Sequence, residues 1–306
     1  MKFRNFSAFE EVPDDGQLSI PTRWVITEGK SDGKNESLKA RLVMRGDLER
    51  GKENIRSDSP TASKETLKLA LIVAANEGFD VKAIDIKSAY LQGEHLKREI
   101  YVKPPIEANS PGKLWLLKQG AYGIIDGGRL FYLRFSEEMI KLGMHKVHSD
   151  GALFTYVKNG NLQGIIVSHV DDWLVIGNNE FEKDIVSKLK EKFQFSKVEK
   201  NNFKYCGCNI SVEDGVIKID QQDYINSLQK IEYTGDDLER ELNDAEKKKA
   251  RGKLGELLWI SLLTRPNLSF EVNLLSSEIN RGTVSTLKAM NKVVEKAQNS
   301  SYILQF

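Results

Sequence analysis

Two adjacent carboxylates interrupt an otherwise apolar stretch in the middle of the chain. The run from Ile165 to Val170 is mostly apolar, Asp171 and Asp172 follow it, and a second apolar run ends at Gly177. Two short β-rich runs joined by a polar pair predict a tight antiparallel hairpin with both carboxylates at its tip. Asp is also favoured in turns for its backbone geometry alone, so the pair by itself fits either a plain turn or a functional site.

A third carboxylate, Asp85, lies near the end of a predicted strand, residues 81–86. An aspartate within an apolar strand is costly to bury unless it is hydrogen-bonded, paired with a cation or bound to a metal. Asp85 therefore either caps the following turn or has a function. Carboxylates from separate elements that converge can hold two divalent ions for phosphoryl transfer. Asp85, Asp171 and Asp172 supply such a set if their strands lie side by side.

The overall composition excludes several classes of protein. The chain has 306 residues, 40% of them hydrophobic and 29% charged, which fits roughly two folded domains and argues against intrinsic disorder. The chain has 45 basic and 44 acidic residues, so its net charge is only +1. A basic surface over the whole protein is therefore excluded, and only local basic surfaces could bind nucleic acid. No apolar run has the length of a membrane span, and the charged N-terminus lacks the apolar region of a secretion signal. These features predict an intracellular protein without a membrane partner.

The two cysteines, Cys206 and Cys208, fall two apart on a predicted strand, residues 203–211. A disulfide across that spacing is strained, so both are predicted to be free thiols. His145 and His148 are predicted to be surface residues on a helix end rather than metal ligands.

The predicted elements that position these residues are of mixed type. Two β-like runs, residues 22–27 and 39–46, flank a polar loop from Gly29 to Glu36 and predict a hairpin. Alternation places Lys39, Arg41 and Val43 on one of its faces, which is either a solvated surface or a basic wall for phosphate groups. The remaining segments are a helix from Ser63 to Gly78, a strand at 98–105, helices at 130–142 and 182–193, strands at 203–211 and 215–219, and a helical region from 221 that includes helices at 254–263 and 284–298.

Several motifs, in order along almost the whole chain, resemble those of the reverse transcriptase of copia-type LTR retrotransposons. TRWVIT, KARLVMRG and DIKSAYLQG resemble the fingers and first palm motifs of that family. AYGIIDGGRLFY resembles the segment written LYGLKQAPRAWY, and SHVDDWL resembles the YVDD hairpin. TRPNLSF, residues 264–270, is similar to the family's TRPDISF segment.

The resemblance implies an α+β right-hand polymerase fold with fingers, a palm with an antiparallel sheet, and a helical thumb. Residues 1–80 and 94–120 would form the fingers, 81–93 and 121–220 the palm, and 221–306 the thumb and connecting helices. RNase H, integrase and protease regions are not expected within this chain, which suggests a module of a longer polyprotein. A cytoplasmic virus-like particle or the nucleus would be its location, and a homo-oligomer is compatible with the family.

The resemblance also implies roles for individual residues. Asp85, Asp171 and Asp172 would be the catalytic carboxylates and, with the Ile86 carbonyl, would bind two Mg²⁺ or Mn²⁺ ions. Tyr90 would pack under the nucleotide sugar and exclude a 2′-hydroxyl. The remaining nucleotide contacts would come from Lys39, Arg41, Ala89 and Asp126. Contacts to the template and primer would come from His169, Lys247, Lys248, Lys249, Arg251 and Lys253. In the alternative interpretation, the five basic residues from Lys247 to Lys253 form a solvated helix face.

Two departures from the family pattern affect these roles. Lys-Gln of the family is replaced by Ile125-Asp126, and its Pro by Gly128. An acid near a triphosphate is unfavourable without an intervening cation, so the nucleotide contact of Asp126 is in question. His169 replaces the commoner Tyr before the paired aspartates, and it can still lie beside the primer end.

The leading hypothesis is therefore an RNA-directed DNA polymerase that adds dNTPs to a primer on an RNA or DNA template. A catalytically decayed polymerase fold that only binds nucleic acid is the alternative, favoured by Asp126 and opposed by the intact aspartates. An RNA-dependent RNA polymerase ranks last, because it would have a small or polar residue in place of Tyr90.

Overall fold

The computed structural model describes residues 2–28, 38–234 and 237–306. The predicted loop from Gly29 to Glu36 lies outside the described residues. The strands are β1 (Phe9–Pro13), β2 (Ser19–Ile20), β3 (Thr22–Glu28), β4 (Leu38–Met44), β5 (Asp80–Ile86), β6 (Tyr101–Val102), β7 (Lys113–Leu117), β8 (His145–Lys146), β9 (Leu153–Lys158), β10 (Asn161–His169), β11 (Asp172–Gly177), β12 (Phe195–Lys200), β13 (Asn202–Tyr205), β14 (Cys208–Glu213), β15 (Val216–Asp220) and β16 (Leu304–Gln305).

The α-helices are α1 (Lys2–Asn5), α2 (Lys64–Glu77), α3 (Gly127–Lys141), α4 (Asn179–Phe181), α5 (Ser187–Lys192), α6 (Gln222–Ser227), α7 (Asp244–Leu263), α8 (Ser269–Glu278) and α9 (Val284–Asn299). A π-helical segment, Glu182–Val186, joins α4 to α5. The 3₁₀ turns are Gly46–Leu48, Lys52–Asn54, Ala89–Gln92, Ile106–Ala108, Pro266–Leu268 and Ile279–Arg281. No helix in the described ranges is both long enough and apolar enough to cross a membrane.

The chain divides into two compact units. The first contains Met1–Ala62 and Ile84–Val198, and the second contains Ser63–Ala83 and Glu199–Phe306. The change to helical character near residue 221 is observed, but the second unit also takes in the strands from residue 202 onward, which pair among themselves in one sheet. The fingers, palm and thumb ranges follow a functional division and stay predictions.

A six-stranded sheet with the order β12-β5-β11-β10-β9-β8 carries the carboxylates. The predicted hairpin is confirmed: β10 and β11 pair antiparallel from Gly164↔Gly177 to His169↔Asp172. The stretch from Ile165 to Ser168 is buried, because both faces of the strand are covered, and this is why the run is continuously apolar rather than alternating.

Aromatic packing beneath this sheet fixes its position on helix α3. Phe131 and Phe135 of α3 are buried against Trp173, whose ring centroid lies 4.6 Å from that of Phe135. Helix α3 begins three residues earlier than the predicted 130, because Gly127 allows a close approach that a side chain would block. A Cβ at Gly127 would lie 2.8 Å from the Ala121 carbonyl oxygen.

A second sheet and a hairpin complete the first unit. The sheet has the order β1-β7-β6-β2, and β3 pairs with β4 over the full register from Thr22↔Met44 to Glu28↔Leu38. The core here includes Trp115, which stacks on Phe9 at a centroid distance of 4.1 Å. The predicted strand at 98–105 is correct in kind but contracts to the two residues of β6.

The second unit packs helices around its own apolar core. Its sheet has the order β13-β14-β15-β16, and its core is formed largely by α7, α8 and α9. The prediction of one strand over 203–211 is wrong, because Cys206, with φ of +48°, and Gly207 form a turn between β13 and β14. Cys206 and Cys208 are thiols that no disulfide joins, as predicted, but they do not share a strand.

The β3–β4 hairpin is held by the loop that precedes α3. Met44 N donates to the Tyr122 carbonyl at 2.8 Å, and Gly46 N donates to the Gly123 carbonyl at 3.1 Å. Gly123 has φ of +89°, and a Cβ there would lie 2.2 Å from the Met44 carbonyl oxygen. The two chain segments cross so closely that only glycine fits.

We expect Gly123→Ala to lower the free energy of unfolding by about 2–4 kcal/mol, since it adds a backbone clash to an unfavourable φ. Gly51→Ala is the matched control: Gly51 has φ of +71°, but no atom of the described residues lies within 4 Å of the place that a Cβ would take. The control should cost only about 1 kcal/mol. Urea denaturation of the two variants measures the difference, and equal losses would contradict the close crossing.

Candidate active site

The tip of the β10–β11 hairpin is a two-residue turn, Val170 and Asp171. Val170 has φ of +56°, which is a strained conformation for a β-branched residue. The carbonyl oxygen of Asp171 accepts a hydrogen bond from Ile86 N at 2.8 Å. This bond joins the turn to the end of β5, so the predicted placement of the two strands side by side is confirmed.

Asp85 and Asp171 act on each other electrostatically. Burial and then the negative charge of Asp171 raise the pKa of Asp85 above its ordinary value. Nearby cations act in the opposite direction, in the order Lys39, Lys197 and Lys2. Ser196 of β12 donates a hydrogen bond to Asp85 Oδ2, which fixes one carboxylate oxygen. A carboxylate whose charge is disfavoured by burial and by a neighbouring carboxylate marks a place where a cation is favourable.

Both carboxylates line one cavity of about 390 Å³ within the first unit. Basic and aromatic side chains share its wall. Its lining residues are Lys2, Phe3, Trp24, Lys39, Ala40, Arg41, Leu42, Asp85, Ile86, Lys87, Ser88, Leu91, Tyr122, Asp171 and Ser196. The sequence-predicted residues Asp85, Ile86, Asp171, Lys39 and Arg41 are therefore brought together.

The fit of this site to divalent metal can be judged from its donors. No group of three His, Cys, Asp or Glu side chains in the described part of the chain could hold a metal by itself. Mg²⁺ is usually bound by one or two carboxylates, with water and substrate phosphates as the other ligands. Asp85 and Asp171, with Ile86 beside them, match that incomplete set.

Asp172 and His169 face differently from Asp171. They pair with each other across the hairpin, both are exposed, and neither lines the cavity. The predicted metal-binding role of Asp172 stays a prediction, since Asp172 does not line the cavity, whereas Asp171 does.

The basic wall comes from β4. Lys39 and Arg41 lie on the same face of that strand, as alternation predicts, and both reach the cavity. Their charges act on the site, since Lys39 lowers the pKa of Asp85 and Arg41 lowers that of Tyr122. This face thus supplies two cations to the cavity that the two carboxylates line.

Tyr90 contacts a second tyrosine that was not predicted. The ring centroids of Tyr90 and Tyr122 are 5.0 Å apart at an angle of 63°. Burial and the charge of Asp171 raise the pKa of both phenols. Tyr122 lines the cavity, whereas Tyr90 and the buried Ala89 do not. The signal that could have identified Tyr122 is its place directly before Gly123 in the AYGIIDGGRLFY motif.

Ser88 is a strained, buried residue at the cavity. It has φ of +52° and precedes the turn Ala89–Gln92 without capping it. Its hydroxyl is close enough to lower the pKa of Tyr122, yet it has no hydrogen-bond partner of good geometry among the described residues. Strain and unsatisfied polar atoms concentrate at functional sites.

Asp126 has a structural partner instead of a place in the cavity. Its carboxylate accepts two hydrogen bonds from Arg98, at 2.7 and 2.9 Å, and Arg98 also binds Glu49. Burial alone would lower the pKa of Arg98, but the bonds to Asp126 and Glu49 raise it above its ordinary value. The carboxylate is thus buried and already paired, which does not favour the predicted nucleotide contact of Asp126, and that contact stays a prediction.

The predicted thumb cations lie on α7 in the second unit. Lys248, Lys249 and Arg251 are exposed, and Lys247 is half-buried. Lys253 forms an ion pair with Glu256, so its charge is partly neutralised. Two glycines of this helix, Gly252 and Gly255, are exposed, and a Cβ added at either would meet no atom of the described residues within 4 Å.

The chain is similar to known proteins over most of its length. The family model described as "Reverse transcriptase (RNA-dependent DNA polymerase)" matches residues 8–239. The Retrovirus-related Pol polyprotein from transposon RE1 of Arabidopsis thaliana is 24% identical over 301 residues, covering 90% of this chain and 20% of that polyprotein. The Transposon Ty1-BL Gag-Pol polyprotein of Saccharomyces cerevisiae is 31% identical over 171 residues, covering 55% of this chain and 9% of that polyprotein.

Solved structures share the fold. A foamy viral protease-reverse transcriptase in complex with dsDNA has a TM-score of 0.53 at 13% identity, over 95% of this chain and 54% of that one. A second foamy viral protease-reverse transcriptase structure, dRH with ds DNA, has a TM-score of 0.51 at 13% identity, over 98% of this chain and 47% of that one. The expected α+β polymerase fold is confirmed. The chain spans about a fifth of the length of the first relatives it matches.

Proposed function

Because the chain belongs to the reverse transcriptase (RNA-dependent DNA polymerase) family of copia-type retrotransposons, we propose that it adds deoxynucleotides to a primer on an RNA or DNA template. One observation carries the proposal. Asp85, near the end of β5, and Asp171, in the adjoining hairpin turn, share a cavity with the basic wall of Lys39 and Arg41. A carboxylate pair opposite a cationic wall suits a polyphosphate together with divalent metal.

The chemistry follows from these groups. The primer 3′-hydroxyl attacks the α-phosphorus of the nucleotide, and pyrophosphate leaves in line with it. Asp85 and Asp171 would hold Mg²⁺ or Mn²⁺, two ions in the full reaction, which when bound lower the pKa of the attacking hydroxyl and neutralise phosphate charge. Lys39 and Arg41 hold the triphosphate, and Ser196 keeps Asp85 oriented. Most of the rate enhancement would come from positioning and charge stabilisation.

The rest of the predicted organisation belongs to this proposal. Residues 1–80 and 94–120 act as fingers, 81–93 and 121–220 as palm, and 221–306 as thumb and connecting helices. The foamy viral structures contain dsDNA, which supports a nucleic-acid duplex as the partner. His169, on the exposed side of the hairpin tip, is then available to the primer end, and the protein acts inside the cell.

A templated incorporation assay tests the proposal. The purified chain is given a primer annealed to an RNA template, Mg²⁺ or Mn²⁺, and each dNTP in turn. We expect only the complementary nucleotide to be added. A folded protein that binds the duplex but adds nothing would instead identify the decayed alternative. Asp126 does not favour that alternative, because its carboxylate is bound to Arg98.

Tyr90→Ala should relax sugar selection. Tyr90 does not line the cavity itself, but its ring packs on Tyr122, which does, so its removal lets Tyr122 move back and opens space for a 2′-hydroxyl. We expect the preference for dNTP over NTP to fall by about a hundredfold, the scale on which an apolar pocket rejects an added hydroxyl. Tyr90→Phe keeps the ring and should keep the preference. Single-nucleotide kcat/KM values measure both. Unchanged selection in Tyr90→Ala would contradict this role and leave Tyr122 as the candidate.

Gly252→Ala and Gly255→Ala should separate folding from duplex binding. An exposed glycine inside a helix is unfavourable, so each change should raise the free energy of unfolding by about 0.5–1 kcal/mol. If the duplex backbone lies close against this face of α7, the added methyl groups will at the same time weaken primer–template affinity. Greater stability with unchanged affinity in a filter-binding titration would place the duplex elsewhere.

A further inference from the structure

We propose that Lys2 is a further cationic ligand for the phosphate chain of the incoming nucleotide, supplied by the N-terminal helix. The inference rests on the proposed function. It adds a third basic side chain to the wall formed by Lys39 and Arg41.

The helix that carries Lys2 is fixed to the first unit by its neighbours. Phe3 is only 4% exposed, and its ring centroid lies 6.2 Å from that of Trp115. The Phe3 carbonyl accepts a hydrogen bond from Ala8 N at 3.0 Å, and Arg4 pairs with Glu11 at 3.1 Å. These contacts hold α1 in one place, although it has only four residues.

This anchoring places Lys2 at the cavity. Lys2 and Phe3 line the same space as Asp85 and Asp171. The charge of Lys2 is near enough to act on Asp85, alongside that of Lys39. This third cation of the cavity therefore comes from α1 and not from β4.

The Lys2 ammonium is also uncommitted. It forms no hydrogen bond or ion pair within residues 2–28, 38–234 and 237–306. Other basic groups of this region are paired, Arg4 and Lys113 with Glu11 and Lys118 with Glu10. A free ammonium beside two carboxylates and a basic wall is suited to the anionic chain of a nucleoside triphosphate.

Two sources of phosphate can bind the Lys2 ammonium, the incoming nucleotide and the template strand. Nucleotide phosphate is favoured, because Lys2 shares a cavity with the carboxylate pair where transfer takes place. The two sources are separated by measuring KM for dNTP and the Kd of the primer–template independently.

The test compares Lys2→Gln, Lys2→Arg and the matched control Lys118→Gln, a lysine that pairs with Glu10 and does not line the cavity, with any affinity tag at the C-terminus. We expect Lys2→Gln to raise KM for dNTP about three- to tenfold, the effect of one exposed charge contact, with kcat within about twofold. Lys2→Arg should restore KM, and Lys118→Gln should leave it unchanged. Calorimetric titration with a dNTP in Ca²⁺ gives the same comparison without turnover.

The outcomes distinguish this inference from the proposed function. An unchanged dNTP affinity in Lys2→Gln, with a weakened affinity in Lys39→Gln, overturns the role of Lys2 alone. Weaker primer–template binding with unchanged dNTP affinity also overturns it, in favour of the template strand. Loss of dNTP affinity in Lys2→Gln, seen by calorimetry, supports it even if the wild-type chain proves inactive in extension, which would overturn the proposed function instead.

Discussion

Asp171→Asn is expected to lower the rate of nucleotide incorporation by about a thousandfold or more, with little change in fold. The substitution keeps the size of the side chain and the backbone bond from Ile86, but it removes half of the carboxylate pair. The largest single contribution of these residues is to stabilise the negative charge that develops on the phosphate oxygens in the transition state. Asp85→Asn should cause a comparable loss, because the two groups act on the same cavity. Single-turnover incorporation gives the rates.

Two further variants control for this result. Asp172→Asn should cost much less than Asp171→Asn, since Asp172 is exposed and does not line the cavity. Asp214→Asn changes an exposed carboxylate in the β14–β15 turn and should leave the rate unaffected. Equal losses at Asp171 and Asp172 would mean that the hairpin tip rearranges when substrate binds.

Arg265→Met should destabilise the second unit by about 3 kcal/mol or more. Arg265 is fully buried, and it donates at 2.7 Å both to the Ala297 carbonyl and to the Ser300 hydroxyl. Ala297 belongs to the last turn of α9, where the helix dipole favours a cation. Burial lowers the pKa of Arg265. Among the described residues, its side chain donates to three acceptors, Ala297, Ser300 and Asn267, and all three are neutral.

Guanidinium chloride denaturation measures the effect. Arg265→Lys should recover only part of the loss, since an ammonium cannot reach both acceptors as a planar fork does. Arg251→Met, on the exposed face of α7, is the matched control and should stay within about 0.5 kcal/mol of wild type. A small loss at Arg265 would show that the helix end is satisfied in another way. If confirmed, the result gives the TRPNLSF motif a structural role.

The hairpin and the carboxylate strand could be predicted because their signals are local. Apolar runs, a polar tip and a strand-end aspartate are visible within a few residues of one another. Helix α2 was likewise marked at both ends, by the Ser63 cap and by Gly78. Motif order then related Asp85 to Asp171 across a long stretch of chain, which no periodicity could have done.

The features that the sequence did not show share a physical cause, since each depends on partners distant in sequence. Asp126 was compared with a family glutamine, but its environment is set by Arg98 and Glu49. The position of Tyr122 depends on the crossing of the hairpin and the Gly123 loop. The turn after β13 falls where alternation alone predicted a continuous strand, and the Trp259 ring covers that turn.

The most direct test of the central claim is a Mg²⁺ titration of templated incorporation by wild type and Asp171→Asn on an RNA template. The carboxylate pair predicts that wild type adds the complementary dNTP in a metal-dependent manner, stopped by EDTA, and that Asp171→Asn adds essentially none at any Mg²⁺ concentration. Incorporation by Asp171→Asn equal to wild type, or none by a folded wild-type protein in either Mg²⁺ or Mn²⁺, would contradict it.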